Sequence, residues 1–219
     1  MLVAGIFNRE DRDYERLRIV WERSAQEAMT GVPRKIIQLT PPEDTGREDD
    51  ITYADTAVMQ WVLDNRRDCV VTDIDMMFTG NMMDVFKRQF DIAVTKRDYR
   101  APYNSGVWYF RNTAGGRAFV KLWLRETWRM FNNEAKRANP GHGGLDQASL
   151  FKAIKKTKAK VIELPCELYN AEQTCWAELH PDVRAIHIKS KLRRVCFGET
   201  DLEVHENVYK IADKWRSYL

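Results

Sequence analysis

Two aspartates at the end of an apolar segment are the residues of this sequence best suited to chemistry. Asp73 and Asp75 follow an apolar run that ends at Val71, and Ile74 separates them. Side chains at positions i and i+2 of an extended chain point to the same side. Carboxylates in an apolar setting need a partner for their charge, and oxygen ligands suit Mg²⁺ or Mn²⁺. The apolar setting therefore predicts a divalent metal site. Without it, a pair of aspartates at this spacing would be interpreted as ordinary exposed surface residues.

The phosphate-binding devices that other nucleotide enzymes use are missing from the sequence. It contains neither a G-x-G-x-x-G nor a G-x-x-x-x-G-K-[ST] loop, which argues against a dinucleotide oxidoreductase and a P-loop NTPase. A metal held by carboxylates is the obvious substitute, since it would bridge the two phosphates of a nucleotide and offset the charge of a leaving diphosphate. The four cysteines form no C-x-x-C pair, so a zinc site has little support.

Apolar periodicity divides the chain into alternating strands and helices. Predicted strands cover 2–7, 35–39, 68–73, 91–95, 106–110, 161–164 and 185–188. Predicted helices cover 10–29, 52–63, 83–90 and 145–154, a long helix follows Gly115 and Gly116, and a polar loop runs through Asp50. This order predicts an α/β fold with a mostly parallel central sheet flanked by helices, and residues 1–219 are expected to form a single domain. The aspartate pair then lies at the carboxyl end of a strand, where open α/β sheets bind ligands.

The composition is that of a soluble globular protein, with 44% hydrophobic and 31% charged residues. No apolar run approaches the length of a membrane span and no secretory leader is evident, so a cytoplasmic protein is expected. The formal net charge is +3, but basic residues cluster at 152–160 and 189–194. Such clusters can attract the phosphates of a nucleotide or a polynucleotide, although a solvated helix face with its exit loop is the better explanation of the first cluster.

Five short motifs follow one another between residues 51 and 191. They are Tyr53-Ala54-Asp55-Thr56, Thr72-Asp73-Ile74-Asp75, Tyr103-Asn104-Ser105-Gly106-Val107, Gly143-Gly144-Leu145-Asp146-Gln147 and Ile186-His187-Ile188-Lys189. In this order they resemble the GT-A glycosyltransferases, particularly the retaining families numbered eight, thirty-two and seventy-seven. The resemblance implies a GT-A, Rossmann-like sheet and a nucleoside-diphosphate sugar as donor, and the second motif is similar to the family's D-x-D signature.

The resemblance also implies roles for residues around the donor sugar. Asp55 would help to hold the nucleotide, and Asn104 and Ser105 would face the sugar. Asp146 and Gln147 would lie beneath the transferred sugar, where an acid can stabilise an oxocarbenium-like charge, so Asp146, Gln147 and Asn104 are the catalytic candidates. Each has a simpler alternative, because an N-S-G sequence also forms turns and an aspartate is favoured in the first turn of a helix.

The remaining implied contacts concern the metal and the diphosphate. His187 would complete the metal site with Asp73 and Asp75, although a lone histidine on a strand is more often structural. Lys189 or Lys191 would meet the diphosphate, and the motif leaves open which of the two does so. Asn8, just after the first strand, would contact the base or ribose. Weaker candidates for phosphate, acceptor or sugar contacts are Arg97, Arg100 and His142.

The sequence thus predicts a metal-dependent glycosyltransferase that uses Mn²⁺ or Mg²⁺ and moves a sugar, expected from a UDP-sugar, to an acceptor hydroxyl. Retention of configuration is implied by the resemblance alone. A chain with few insertions suits a large acceptor, either a glycan or protein, or DNA bearing a hydroxymethylated base, which would make the protein a DNA-modifying enzyme. The alternatives are a sugar-nucleotide nucleotidyltransferase, and a non-enzymatic basic nucleic-acid-binding module that leaves Asp73 and Asp75 unexplained.

Overall fold

The computed structural model of the protein describes residues 1–7, 12–39, 47–98, 101–141 and 144–219. Eight strands are present in this part of the chain: β1 (Leu2–Phe7), β2 (Arg34–Leu39), β3 (Cys69–Thr72), β4 (Met76–Phe78), β5 (Ile92–Lys96), β6 (Tyr103–Phe110), β7 (Val161–Pro165) and β8 (Ala185–His187). Six form a central sheet in the order β2-β1-β3-β6-β5-β7, and β4 pairs with β8 in a small separate sheet.

The described helices alternate with these strands. They are α1 (Arg12–Ala28), α2 (Arg47–Asn65), α3 (Ala114–Phe131), α4 (Glu134–Ala138), α5 (Leu145–Lys156), α6 (Cys166–Tyr169), α7 (Ser190–Cys196) and α8 (Glu206–Arg216), with a 3-10 helix at Met83–Lys87. None of the described helices is long and apolar enough to cross a membrane.

Helices cover both faces of the central sheet, so its inner strands are buried on both sides. On β1, Leu2 and Ala4 face the core that includes Trp21 and Ala25 of α1. Val3 faces the opposite core, formed with residues of α2, α3 and α5. A third core joins α7 and α8 to the small sheet and to α1. The α/β layer fold predicted from alternation is confirmed.

The sheet is mostly parallel, with one reversed strand at its centre. β1 runs parallel to β2 and β3, and β5 runs parallel to β7. β6 is antiparallel to both of its neighbours, β3 and β5. The carboxyl ends of β3 and β5 therefore lie beside the start of β6, where Asp73 meets Gly106 and Thr95 pairs with Asn104.

Three local predictions are wrong. The polar loop expected through Asp50 ends earlier, because α2 begins at Arg47, where the acidic run of the sequence favours a helix N-terminus. β6 begins at Tyr103 rather than Gly106, so the N-S-G residues lie inside a strand. The strand at Met76–Phe78 was not predicted, because it has no period-2 alternation and all three of its residues are buried.

Candidate functional site

Two backbone pairings bring the predicted metal ligands together. Directly after β3, the Asp73 amide donates to the carbonyl oxygen of Gly106 in β6, at 2.9 Å. Met76 of β4 lies opposite His187 of β8 in an antiparallel register. Since Asp75 immediately precedes β4, this register sets His187 beside it. The unpredicted small sheet is therefore the element that delivers the third ligand.

Asp73, Asp75 and His187 form what we call the metal cluster, in which one ligand atom of each residue lies within 4.8 Å of the others. His187 Nε2 lies 3.1 Å from Asp75 Oδ1 and 3.5 Å from Asp73 Oδ2. Asp75 Oδ1 is buried and makes no well-directed hydrogen bond with a described residue. A buried carboxylate oxygen without a partner is costly, so its position beside a second carboxylate and an imidazole fits a divalent cation such as Mn²⁺ or Mg²⁺.

Gly106 provides the space that the metal cluster occupies. A Cβ at this position would lie 2.7 Å from Asp73 Oδ2 and 2.9 Å from His187 Cε1. Its amide donates to Asn104 Oδ1 at 2.8 Å, which fixes the Asn104 side chain within the strand. The N-S-G motif is thus part of β6 beside the metal cluster and not a turn between strands.

A chain of hydrogen bonds sets the orientation of His187. Thr95 Oγ1 donates to the Asn104 carbonyl at 3.0 Å and accepts from Asn170 Nδ2 at 3.2 Å. Asn170 Oδ1 is then the atom 3.0 Å from His187 Nδ1, which makes Nδ1 the donor. An imidazole protonated at Nδ1 carries its lone pair on Nε2, the atom that faces the two aspartates. The chain therefore presents His187 in a metal-binding tautomer.

The two aspartates of the metal cluster titrate in opposite directions. Burial, reinforced by the charges of Asp75 and Asp146, raises the pKa of Asp73 although His187 acts to lower it. Burial also opposes ionisation of Asp75, but the imidazolium form of His187 and Arg193 outweigh it and lower the pKa of that carboxyl. Arg193 donates a hydrogen bond to Asp75 Oδ2. Asp75 is therefore the more readily ionised of the two, and a cation nearby would favour ionisation of Asp73.

A second charged group lies close to the first and is called the Glu172 cluster; it comprises Glu172, Arg97, Lys189 and Asn104. Arg97 Nη1 donates to Oε1 and Oε2 of Glu172 at 2.7 and 2.9 Å. Lys189 Nζ and Asn104 Nδ2 reach Oε2 at 2.5 and 3.2 Å. Burial acts to raise the pKa of Glu172, but the bonds from Lys189 and Arg97 outweigh it and lower that pKa. The chain itself thus compensates this carboxylate.

Sequence reasoning missed both Asn170 and Glu172. Neither belongs to one of the five motifs, and the segment around them has no helix or strand periodicity. A weak signal exists, because the two residues flank the buried Ala171 and an i, i+2 spacing on an extended chain sends both side chains to one side. Ala171 does form an isolated parallel bridge with Ile186.

The D-Q pair lies at the start of α5 and contacts the same region. The Ser105 hydroxyl donates to the Asp146 carboxylate, and Arg97 Nη2 donates to Gln147 Oε1 at 2.8 Å. Burial raises the pKa of Asp146, although the bond from Ser105 acts to lower it. Gly144, with φ +147°, is the N-cap residue of α5. Asp146 therefore reaches Ser105 of β6 and also lies in the first turn of α5, where its carboxylate meets backbone amides.

A cavity of about 200 Å³ opens between α1, α2 and the carboxyl end of β3. Asp55, the two aspartates of the metal cluster, Ser105 and Arg193 are among its lining residues. Burial and the charges of Asp146 and Asp73 raise the pKa of Asp55 well above its usual value. Acids outnumber bases in this lining, so a cation entering together with an anionic ligand would relieve the repulsion.

The two candidate lysines have different positions. Lys189 reaches Glu172 at the edge of the site. Ser190, with φ 49°, then turns the chain into α7, so Lys191 leaves the strand direction. Lys191 is exposed and donates to the Glu203 carbonyl oxygen at 3.1 Å. The structure brings Lys189 to the site and leaves Lys191 outside it.

Asn8, Arg100 and His142 lie outside the described residues. Their predicted contacts with the base or ribose, the phosphate or acceptor, and the sugar remain sequence-based hypotheses. Arg97, the weaker candidate that is described, lies in the Glu172 cluster.

Comparisons with known proteins agree with this geometry. Residues 44–187 match the sequence model of the family described as nucleotide-diphospho-sugar transferase. No curated protein matches the sequence. The structure is similar to a glycosyltransferase involved in glycosylation of the major capsid of PBCV-1, with a TM-score of 0.65 and 13% identity over 88% of this chain and 95% of that one.

Two further solved structures share the fold. GlyE of Streptococcus pneumoniae TIGR4, a glycosyltransferase, has a TM-score of 0.67 at 14% identity, and the match covers 99% of this chain and 60% of GlyE. The galactosyltransferase LgtC, solved with donor and acceptor sugar analogues, has a TM-score of 0.60 at 12% identity over 100% of this chain and 99% of LgtC. At these identities the likeness establishes a GT-A fold, and the family match covers all three residues of the metal cluster.

Proposed function

The chain belongs to the nucleotide-diphospho-sugar transferase family, and we propose that it is a metal-dependent glycosyltransferase acting from a UDP-sugar. The observation that carries the proposal is Asp75 Oδ1, a buried oxygen that has no well-directed hydrogen bond with a described residue and lies in a cluster of three possible metal ligands. Asp73, Asp75 and His187 would hold Mn²⁺ or Mg²⁺, which would supply positive charge to the donor diphosphate.

The residues around the cavity have donor-binding roles in this proposal. Asp55 would accept hydrogen bonds from the nucleoside, in the cavity that it lines with Ser105. Asn104 and Ser105 would face the sugar, and Asp146 would stabilise positive charge that develops at its anomeric carbon. Gln147 is held by Arg97 and would position a sugar hydroxyl. Asn8 keeps its predicted base or ribose contact, outside the described residues.

The position of Lys189 supports a role as a diphosphate ligand. Its side chain is 28% exposed, and its ammonium is held by Glu172 rather than dispersed in solvent. An ammonium that is already placed loses less rotamer freedom on binding than a free surface lysine, so its interaction with the leaving diphosphate is preorganised. Lys191 is not included in the proposed site because it contacts the Glu203 backbone.

We also propose that the reaction retains the anomeric configuration. Both oxygens of Glu172 are engaged by Arg97, and Oε2 also by Lys189, so this buried acid is occupied and poorly suited to attack carbon. Front-face attack by the acceptor hydroxyl fits this arrangement: the new C–O bond forms as the C–O bond to the diphosphate breaks. The hydroxyl proton passes to the leaving phosphate oxygen.

The acceptor in this proposal is a hydroxyl of a large polymer, with hydroxymethylated duplex DNA in the cytoplasm as the first candidate and a glycan as the second. The basic segments 152–160 and 189–194 support a polyanionic acceptor. A base inside the duplex would have to leave the stack to reach the site.

Thermal unfolding with UDP and Mn²⁺ tests the proposal. UDP with Mn²⁺ should raise the Tm of the natural protein, and Asp75→Ala should lose that rise, because a ligand stabilises only the state that binds it. Asp201→Ala is a matched control, since Asp201 is exposed and hydrogen-bonds only its neighbour Thr200 among the described residues. A panel of nucleotide sugars, scored by hydrolysis with Mn²⁺, then identifies the donor. Indifference of the Tm to every nucleotide and metal would refute the proposed function.

A further inference from the structure

A second cavity, away from the metal cluster, lies on the outer side of α2 and α3. It measures about 530 Å³, and we call it the basic groove. Its lining includes four cationic side chains, Arg66, Arg117, Lys121 and Arg125, and a single acidic one, Asp64. The local excess of positive charge equals the formal net charge of the whole chain, +3. The basic groove is therefore the place on the described surface where positive charge is concentrated within one concavity.

Three of the four cations form a straight row along α3. Arg117, Lys121 and Arg125 are spaced four residues apart, so they project from one face at intervals of about 6 Å. Like charges at this spacing destabilise a helix. Within the described part of the chain, Lys121 and Arg125 form no ion pair that would offset this repulsion. Such a row is expected where its charges meet an external anion.

The fourth cation, Arg66, is held in place by the backbone. Its φ of 51° lies in the left-handed region, which is uncommon for a residue other than glycine. Asn112 ties this residue to the row, because its Nδ2 donates to the Arg66 carbonyl at 2.6 Å while its Oδ1 accepts from Arg117 Nη1 at 2.9 Å. The bond to Arg117 comes from a neutral amide and leaves the guanidinium charge uncompensated. A left-handed residue directly after a helix is a common way to end it, and here it sets the position of Arg66 after α2.

The basic groove leads towards the candidate active site. α3 begins beyond the carboxyl end of β6, which is antiparallel to β3, so α3 runs back towards the edge that carries the metal cluster. Trp128, which lines the groove, packs edge-on against Tyr53 with ring centroids 5.7 Å apart. Tyr53 precedes Asp55 by two residues on α2. Tyr53 and Asp55 lie on different faces of α2, so a long ligand in the groove would pass around this end of α2 to reach the donor cavity.

We propose that the basic groove binds the sugar–phosphate backbone of a duplex nucleic acid, the acceptor of the transfer. A rigid row of cations suits an array of regularly spaced phosphates better than it suits a single small anion. The role of the duplex as acceptor rests on the proposed function. Binding of the duplex in the basic groove requires neither donor nor metal. A protein partner is disfavoured because its side would have to supply several acids in a line.

Salt-dependent binding of a fluorescein-labelled 20-base-pair DNA duplex, measured by anisotropy without nucleotide or metal, tests the groove. For the natural protein, log K should fall linearly with log salt. Lys121→Ala/Arg125→Ala should reduce the slope by about two, since each lost phosphate contact removes about one. Lys210→Ala/Lys214→Ala is the matched control: it removes the same charge from two exposed lysines of α8 and should leave the slope unchanged.

Several outcomes would overturn this assignment. Equal loss of slope in both double variants would show a general charge effect, and no duplex binding at 50 mM salt would remove the site. Tighter binding of heparin than of the duplex would assign the groove to acidic polysaccharide, and competition by inorganic phosphate at millimolar concentration would assign it to a small anion. The UDP and Mn²⁺ shift in Tm should survive in Lys121→Ala/Arg125→Ala, so failure of the groove and failure of the glycosyltransferase proposal are distinguishable.

Discussion

The metal cluster and the Glu172 cluster are neighbouring groups of polar residues. They differ in how the negative charge of their acids is compensated. Each oxygen of Glu172 has a cationic donor from the chain, and Asn104 shares one of them. In the metal cluster, Asp75 Oδ1 has no well-directed hydrogen bond with a described residue. Glu172 can only position its partners, whereas Asp75 pairs with Arg193 through Oδ2 and keeps Oδ1 open to a cation from outside. The difference thus separates residues that organise the site from residues that bind a ligand.

Removing the Asp75 carboxylate should have the largest effect on activity of the substitutions considered. Because loss of a residue that merely supports a metal ligand costs roughly 10–100-fold, loss of the ligand itself should exceed about 100-fold. Asp75→Asn should therefore lower Mn²⁺-dependent hydrolysis of the donor by more than that factor, measured as kcat/KM. The Tm of the metal-free protein should fall modestly, because Arg193, 30% exposed, loses its counter-charge while the volume is kept.

The matched variant Asp201→Asn changes an exposed aspartate and should leave both quantities as they are. If Asp75→Asn retained hydrolysis while lowering the metal-free Tm steeply, the comparison would be reversed and Asp75 would be a structural residue.

Neutralising the compensated carboxylate should act first on stability. Glu172→Gln leaves Arg97 and Lys189, which are 14% and 28% exposed, without their counter-charge. Removing one partner of a buried pair costs several kcal/mol, so the free energy of unfolding should fall by about 3 kcal/mol. Urea denaturation of the metal-free protein measures this change.

Glu163→Gln is the matched control for Glu172. Glu163 pairs with Lys96 at 2.7 Å, but the two side chains are 42% and 48% exposed. An exposed pair contributes below about 1 kcal/mol, so the control should cost far less. Equal losses in the free energy of unfolding for Glu172→Gln and Glu163→Gln would mean that Glu172 does not organise the site. A fall in kcat for Glu172→Gln with Mn²⁺ affinity unchanged would support positioning of Lys189 and Gln147.

A third substitution tests the hydrogen bonds that orient His187 in the metal cluster. Asn170→Leu removes the oxygen that accepts from His187 Nδ1, and the preferred tautomer is lost with it. Mn²⁺ affinity should fall by roughly 10–100-fold, measured by electron paramagnetic resonance titration without donor. Thr95→Val, which frees the Asn170 amide to turn, should give a smaller loss. Unchanged affinity in both variants would show that the hydrogen-bond chain is only structural.

The contrast between the metal cluster and the Glu172 cluster also shows which residues of the site could be predicted from the sequence. Asp73, Asp75 and Gly106 were predicted because each lies at or beside the end of a recognisable apolar strand. The meeting of these residues with His187 depends on β4, which the local pattern does not show. The family match and the fold agree with the resemblance, but neither was needed to single out the aspartate pair.

Glu172 illustrates what local patterns cannot supply. Its partner Arg97 is 75 positions away, and the contact exists because the segment after α6 returns to the central sheet edge. The sequence does not distinguish Lys189 from Lys191 as a phosphate ligand. The left-handed backbone of Ser190, between them, sends the two side chains in different directions. Pairings that depend on tertiary return and on one backbone angle leave no periodic trace in a single sequence.

The smallest expected effect concerns acid stability and tests whether Glu172 is compensated as described. Its folded-state pKa is lowered, so the ionised form is favoured by folding. The stability that it contributes is present above the unfolded pKa and is lost as pH falls through the lower folded pKa. Tm should therefore fall as pH drops below about 4.5, the ordinary glutamate value, and the fall should be shallower in Glu172→Gln. Glu163→Gln serves again as the control, since that carboxyl also has a lowered pKa but is exposed. Identical acid slopes in the natural protein and Glu172→Gln would show that the chain does not compensate Glu172, and the contrast with the metal cluster would disappear.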